Sequence, residues 1–260
     1  STLPGNRVRI MGHGGDVLGV IGRTPTHILK EEERKKAPEL RGMWIDIGAS
    51  SRSEAEARVG VGDAGGRAGA VERLQGNIVA ANSLDDRMGA YIVAEVFRNL
   101  AAAPPAAAVF ASSCVQEEIG LRGAGATTYG INPDIGIAID VTWTTDHPNV
   151  SVTEFGTQTV GKGPLIARGA ANNPKVVDLL VRAAQAEGVP YQIEADATGR
   201  GTDEFVMQTT RAGIATGLVS IPTRYLHTSS EVLSTDDIDA AVALITRFVK
   251  DLPNNPDLIP

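Results

Sequence analysis

The stretch NIVAANSLDDRMGAYIVAEVFRNLAAA, Asn77–Ala103, runs a short apolar segment into two aspartates and then into a long amphipathic segment. NIVAAN reads as a strand, because its apolar residues are β-formers or small and it ends on a turn-forming Asn. Beyond Asp85 and Asp86, Met88, Ile92, Val96 and Leu100 recur every four residues, which places them on one face of a helix. A strand feeding a helix is half of a βαβ unit, and the same alternation continues downstream. Ala106–Val115 (AAAVFASSCV), Asp134–Trp143 (DIGIAIDVTW) and Gly213–Thr223 (GIATGLVSIPT) read as strands. Asn173–Gly188 (NPKVVDLLVRAAQAEG) reads as a helix with Asn173 as N-cap, Pro174 in the first turn and Gly188 past the end. Ser234–Leu252 reads as a closing helix, with Ser234 and Asp237 as a capping box and Ile238, Val242, Ile245 and Val249 as its core face. The alternation predicts an α/β fold whose central sheet is largely parallel, or mixed, and flanked by helices.

The first part of the chain has a different texture. RVRIMG, VLGVIGR and MWIDIGA are short alternating runs broken by Gly, the pattern of a small all-β domain. Lys30–Leu40 (KEEERKKAPEL) reads as a solvated helical turn, and Gly60–Ala70 (GVGDAGGRAGA) as a linker or returning loop. The division expected is a β-rich domain over residues 1–72 and an α/β domain over residues 73–260. The whole chain has 260 residues, a formal net charge of −7 and a single cysteine, Cys114. That charge argues against a nucleic-acid partner. One cysteine permits no intrachain disulfide and suits a reducing, cytoplasmic compartment. No apolar run is long enough for a membrane span, so no membrane partner is expected.

The chemistry gathers where the strands end. Asp85 and Asp86 follow the first, Glu117 and Glu118 the second, Asp140 closes the third, and His227 follows the fourth. In open α/β sheets ligands sit at this edge. Carboxylates so close together repel unless a cation lies among them, and a mixed Asp, Glu and His set suits Zn²⁺, Co²⁺ or Mn²⁺. Taken singly, Asp86 reads as a helix-start charge, Asp140 as a turn former and His227 as a loop residue. Adjacent glutamates at a strand end point to opposite sides, so one of Glu117 and Glu118 must face inward.

The segments SLDDRMG, VQEEIGLRGA, AIDVT, GTDEF and IPTRYLHTSSEV, in that order, resemble the co-catalytic metal aminopeptidases of the glutamyl aminopeptidase type, metallopeptidase family forty-two, also labelled "cellulase M". The resemblance covers nearly the whole chain. It implies a zinc-exopeptidase-like catalytic domain, with a PDZ-like or barrel-like dimerisation domain over residues 1–72. It implies a dimer building block for a homo-oligomer, a dodecamer in this family, and short peptides as substrates. Two divalent metal ions are implied: Asp85 bridges them, Glu118 and His227 complete the first site, and Asp140 belongs to the second. Glu117 is then the general base. Asp203, in the pocket wall, and Arg224, with Arg200 nearby, are the candidate substrate-binding residues. The family's second site needs a further histidine that this sequence does not supply at the matching place, since His13 and His27 fall in the β-rich part and His147 in a turn after Asp140. The chain is therefore expected to start downstream of a catalytic segment that also carries sheet strands. Three other readings remain open: an assembly subunit with impaired catalysis, a glycosidase working through paired carboxylates, and a cysteine hydrolase using Cys114 with His227.

Overall fold

The computed structural model describes residues 2–199 and 201–260. β1 (Arg7–Gly12), β2 (Gly15–Arg23), β3 (Met43–Asp46) and β4 (Gly65–Arg67) form an antiparallel sheet in the order β3-β2-β1-β4. Alternation sorts its faces. Val8, Ile10 and Val17 are buried on one side, while Met11, Leu18, Val20 and Trp44 remain exposed. Gly22 lies beneath the Trp44 ring, where a Cβ would stand 2.6 Å from the indole nitrogen. The sheet is open and does not close into a barrel among the described residues. Gly60–Ala70 is a returning segment, because its Gly65–Arg67 pairs back onto β1. The predicted solvated turn is α1 (Glu31–Arg34), and α2 (Arg52–Glu56) starts on the Ser51 hydroxyl, which accepts from the Glu54 amide.

The chain then enters a second, helix-covered region. β5 (Glu72–Arg73), β6 (Ile78–Ala81) and β11 (Glu231–Ser234) make a three-stranded antiparallel sheet. β7 (Ile135–Trp143), β10 (Ala215–Thr223), β8 (Leu165–Gly169) and β9 (Gln192–Asp196) make the central one, in that order. It is mixed, since β10 runs parallel to β7 and antiparallel to β8, while β9 runs parallel to β8. α3 (Leu84–Ala102), α6 (Pro174–Glu187) and α8 (Thr235–Asp251) bury their apolar faces in one core containing Ile92, Leu180, Ile221 and Leu244, all fully enclosed. Each such side chain contributes about 1.5–3 kcal/mol by leaving water. Shorter helices α4 (Arg122–Ile131), α5 (Val152–Phe155) and α7 (Asp203–Met207) fill the connections. No helix among the described residues is long and apolar enough to cross a membrane.

The predicted faces and caps of α3 and α6 are present. Met88, Ile92, Val96 and Leu100 are buried, the Asn173 side chain accepts from the Lys175 and Val176 amides, and Gly188 takes a left-handed φ of 70°. α8 differs from its prediction. Ser234 caps the Asp236 amide, while Asp237 turns away to accept hydrogen bonds from the Gly161 and Gly163 amides, each at 2.7 Å. That rotation puts Ala241, Leu244, Ile245 and Phe248 innermost; Ile238, Val242 and Val249 pack at the margin. Ala106–Val115, predicted as a strand, joins no sheet among the described residues. Its composition favours extension, but a strand also needs a neighbour at about 4.8 Å, and side-chain propensity supplies none.

Candidate active site

Four chain segments converge on one edge of the α/β region. β6 delivers Asp85 and Asp86 into the first turn of α3, and the peptide between them is cis. The extended stretch after Ala106 delivers Glu117 and Glu118. Asp140 lies within β7, three residues before its end, opposite Ser220 of β10. The turn after β10 carries His227. Eight non-glycine residues have positive φ among those described, and five belong to these segments: Ser83, Gln116, Leu121, Tyr225 and His227. Left-handed backbone costs such residues about 1 kcal/mol each, so strain is concentrated where the functional side chains are presented.

Asp85, Glu118 and His227 come together. The His227 Nε2 lies 3.1 Å from an Asp85 carboxyl oxygen and 3.7 Å from a Glu118 oxygen, and one ligand atom from each residue falls within 4.8 Å of the others. Two carboxylate oxygens and an imidazole nitrogen at this spacing are a donor set for a divalent cation. The surrounding electrostatics fit that reading. Burial, then the neighbouring Glu118 charge, raises the Asp85 carboxyl. Glu117 is pushed up to about 7 by burial and by Glu118, Asp203 and Asp85. Asp86 rises to about 7 and Asp140 to about 8, in both cases chiefly through burial. A cation would offset both the burial and the mutual repulsion that raise these acids.

Asp85, Asp86, Glu117, Glu118, Asp140 and Asp203 line one end of a cleft of about 700 Å³, whose other walls are mainly apolar. Asp86 accepts the Gly89 amide at 2.8 Å, the bracing role expected of an acid at a helix start. Burial raises the Asp203 carboxyl, and the neighbouring Cys114 thiol moderates that rise. Cys114 thus faces Asp203 and Ser112, whereas His227 faces Asp85 and Glu118, so the cysteine–histidine arrangement is not assembled. Arg224 does not line the cleft. Its guanidinium grips Asp146 with two hydrogen bonds, at 3.0 and 2.6 Å. Arg200 lies outside the described residues. His13 and His27 sit in the β-rich part, and the half-buried His147 ring packs near Tyr225 with a 5.7 Å centroid separation.

Sequence spacing does not single out Glu231. Its Oε2 accepts the Leu84 amide at 2.8 Å and the Asp85 amide at 3.1 Å, and its Oε1 accepts the His227 amide at 3.1 Å. Its one signal in the sequence is an acid opening an otherwise buried strand.

The model of the M42 glutamyl aminopeptidase family matches residues 1–244. The lysyl aminopeptidase of Pyrococcus furiosus is 35% identical over 257 residues, spanning 96% of this chain and 72% of that protein. A TET aminopeptidase from a marine sediment Thaumarchaeota archaeon superposes with a TM-score of 0.90 at 33% identity, over 97% of this chain and 72% of that one. The TET1 peptidase of Pyrococcus horikoshii, described as assembling into a tetrahedron or a large octahedral shell, superposes with a TM-score of 0.84 at 29% identity, over 96% and 73%. Family match, identity and fold agree over nearly all of the chain, which is a hydrolase belonging to the M42 glutamyl aminopeptidase family.

Proposed function

We propose that the chain is a metal-dependent aminopeptidase releasing amino-terminal residues from short peptides, with Asp85, Glu118 and His227 holding a divalent cation and Glu117 as general base. The observation that carries this reading is the convergence of those three ligand atoms beside a glutamate left free of them. A divalent ion there, Zn²⁺, Co²⁺ or Mn²⁺, supplies Lewis-acid polarisation of the scissile carbonyl and of the attacking water. Glu117, a carboxylate beside the ligand set but not part of it, takes the proton from that water and passes it to the departing amine. Asp203, on the same cleft wall, receives the substrate's free α-amine. Asp140 serves a second cation together with Asp85. Residues 1–72 form the assembly domain, and the exposed Met11, Leu18, Val20 and Trp44 support a homo-oligomer built through it, as a dimer within a dodecamer. Residues 73–260 form the catalytic domain, and the protein works in the cytoplasm.

A second reading rests on one observation: among the described residues, no histidine joins Asp140. An assembly subunit with a single cation and little turnover fits that arrangement. Equilibration of the purified protein with Co²⁺, followed by metal analysis and assay on aminoacyl anilides, separates the two. Bound cation with chelator-sensitive release of the terminal residue is expected. Hydrolysis that survives chelation, or a chain that retains no cation, overturns the metal-dependent mechanism. One cation per chain without turnover selects the assembly subunit.

A further inference from the structure

We infer that Glu231 is a positioning residue that sets the separation between Asp85 and His227, a role that rests on the metal-dependent reading above. Glu231 opens β11 directly opposite Ala81, the last residue of β6, and is only 2% exposed. From there a single planar carboxyl reaches the backbone of two segments distant in sequence: Leu84 and Asp85 through one oxygen, His227 through the other.

Each of these amides sits where regular secondary structure cannot satisfy it. Leu84 and Asp85 are in the first turn of α3, whose amides have no intrahelical partner, and His227 lies in a turn with a left-handed φ of 60°. Buried amides need acceptors, and Glu231 supplies three bonds from one rigid group. The oxygen-to-oxygen geometry of that group therefore ties the Asp85 backbone to the His227 backbone. The Asp85 and His227 side chains meet at 3.1 Å on the far side of this bridge. The hydrogen bonds of Glu231 to these segments all run to backbone amides, so it positions Asp85 and His227 through the backbone.

A buried carboxylate could equally brace the fold without regard to the site. Asp237 provides the matched comparison: also buried, it accepts two amides, Gly161 and Gly163, but the loop it braces carries no member of the cluster. The test is Co²⁺ titration of the full chain and of its Glu231→Gln and Asp237→Asn variants, followed by calorimetry and by the visible absorption of the bound ion. Circular dichroism of the cation-free proteins controls for folding. Glu231→Gln turns one acceptor oxygen into a donor facing an N–H, so Co²⁺ affinity should fall about ten- to a hundredfold and the absorption band should change. Asp237→Asn should keep wild-type affinity. If Glu231→Gln does not fold, Glu231→Asp, which keeps both acceptors one methylene shorter, should show the same weakened binding. Wild-type affinity in the folded Glu231 variant, or equal losses in both positions, overturns the positioning role. Failure of the wild-type chain to take up Co²⁺ removes the metal-dependent reading itself, and the role of Glu231 falls with it.

Discussion

The two sheet regions handle charge in opposite ways. In the amino-terminal sheet and its short helices, charges stand in water and pair with opposites: Arg9 with Asp16, Lys35 with Glu31, Arg52 with Glu56. At the edge of the α/β region, Asp85, Asp86, Glu117 and Asp140 crowd together, partly buried, with His227 against Asp85 and the Arg224 guanidinium engaged by Asp146. The apolar residues are sorted in a complementary way. The amino-terminal sheet encloses three buried apolar side chains and leaves a face of Met, Leu, Val and Trp uncovered, whereas the α/β region buries a continuous core. The lesson is that a large core tolerates an arrangement of acids that is unfavourable for the cation-free fold. Chemistry, not stability, accounts for where those acids stand.

The comparison breaks most decisively if the crowded acids prove chemically idle. Glu117→Gln keeps the size of the side chain and removes its ability to take a proton. Turnover of aminoacyl anilides should fall about 100- to 10,000-fold while bound Co²⁺ stays at the wild-type level. Full turnover in that variant would mean that the Glu117 carboxyl is crowded for some other reason.

Much of this organisation is legible in the sequence, and the boundary of what is legible is physical. The faces of α3 and the caps of α6 follow from spacing and from Asn173, Pro174 and Gly188, because each is decided within a turn or two of chain. The clustered acids and His227 follow from order along the chain, although Asp140 lies within β7 and the stretch before Glu117 joins no sheet among the described residues. The resemblance to aminopeptidases selects Asp85, Glu118 and His227 from among them. What fails depends on distant partners. Ala106–Val115 has strand composition but no neighbour to pair with among the described residues. Asp237 looks like a capping residue, yet two glycine amides about 75 positions away take its carboxyl. The role of Glu231 is hidden for the same reason, since its partners at Leu84 and Asp85 are known only once β6 and β11 are paired.

A smaller effect sharpens the contrast through pH. Asp86, Glu117 and Asp140 have folded-state values of about 7, 7 and 8, all above those of free carboxyls. The folded chain therefore binds more protons than the unfolded chain between roughly pH 4 and 8. These groups favour the folded state more as pH falls through their raised values, and that contribution is lost as pH rises past 8. Thermal melts of cation-free protein should give a higher midpoint at pH 5.5 than at pH 8. Saturating Co²⁺ should flatten or reverse the trend, because the ligands must be deprotonated to bind it. A cation-free midpoint that is flat, or that rises with pH, would contradict the picture of acids held under strain.

The smallest effect tests the other half of the comparison. Arg52 and Glu56 stand one helical turn apart on α2, with the guanidinium nitrogen 2.7 Å from the carboxylate and side-chain exposures of 89% and 59%. Short distance does not make such a pair strong. In water the attraction is screened, and holding two long side chains in one geometry costs rotamer freedom, so exposed pairs at this spacing contribute only about 0.3–0.5 kcal/mol. A double-mutant cycle with Arg52→Ala and Glu56→Ala, read by urea unfolding, should return a coupling of that size that shrinks further in high salt. A coupling several times larger would place functional or structural weight on the surface charges of the amino-terminal region, and the division between solvated pairs there and crowded acids at the cleft would no longer hold.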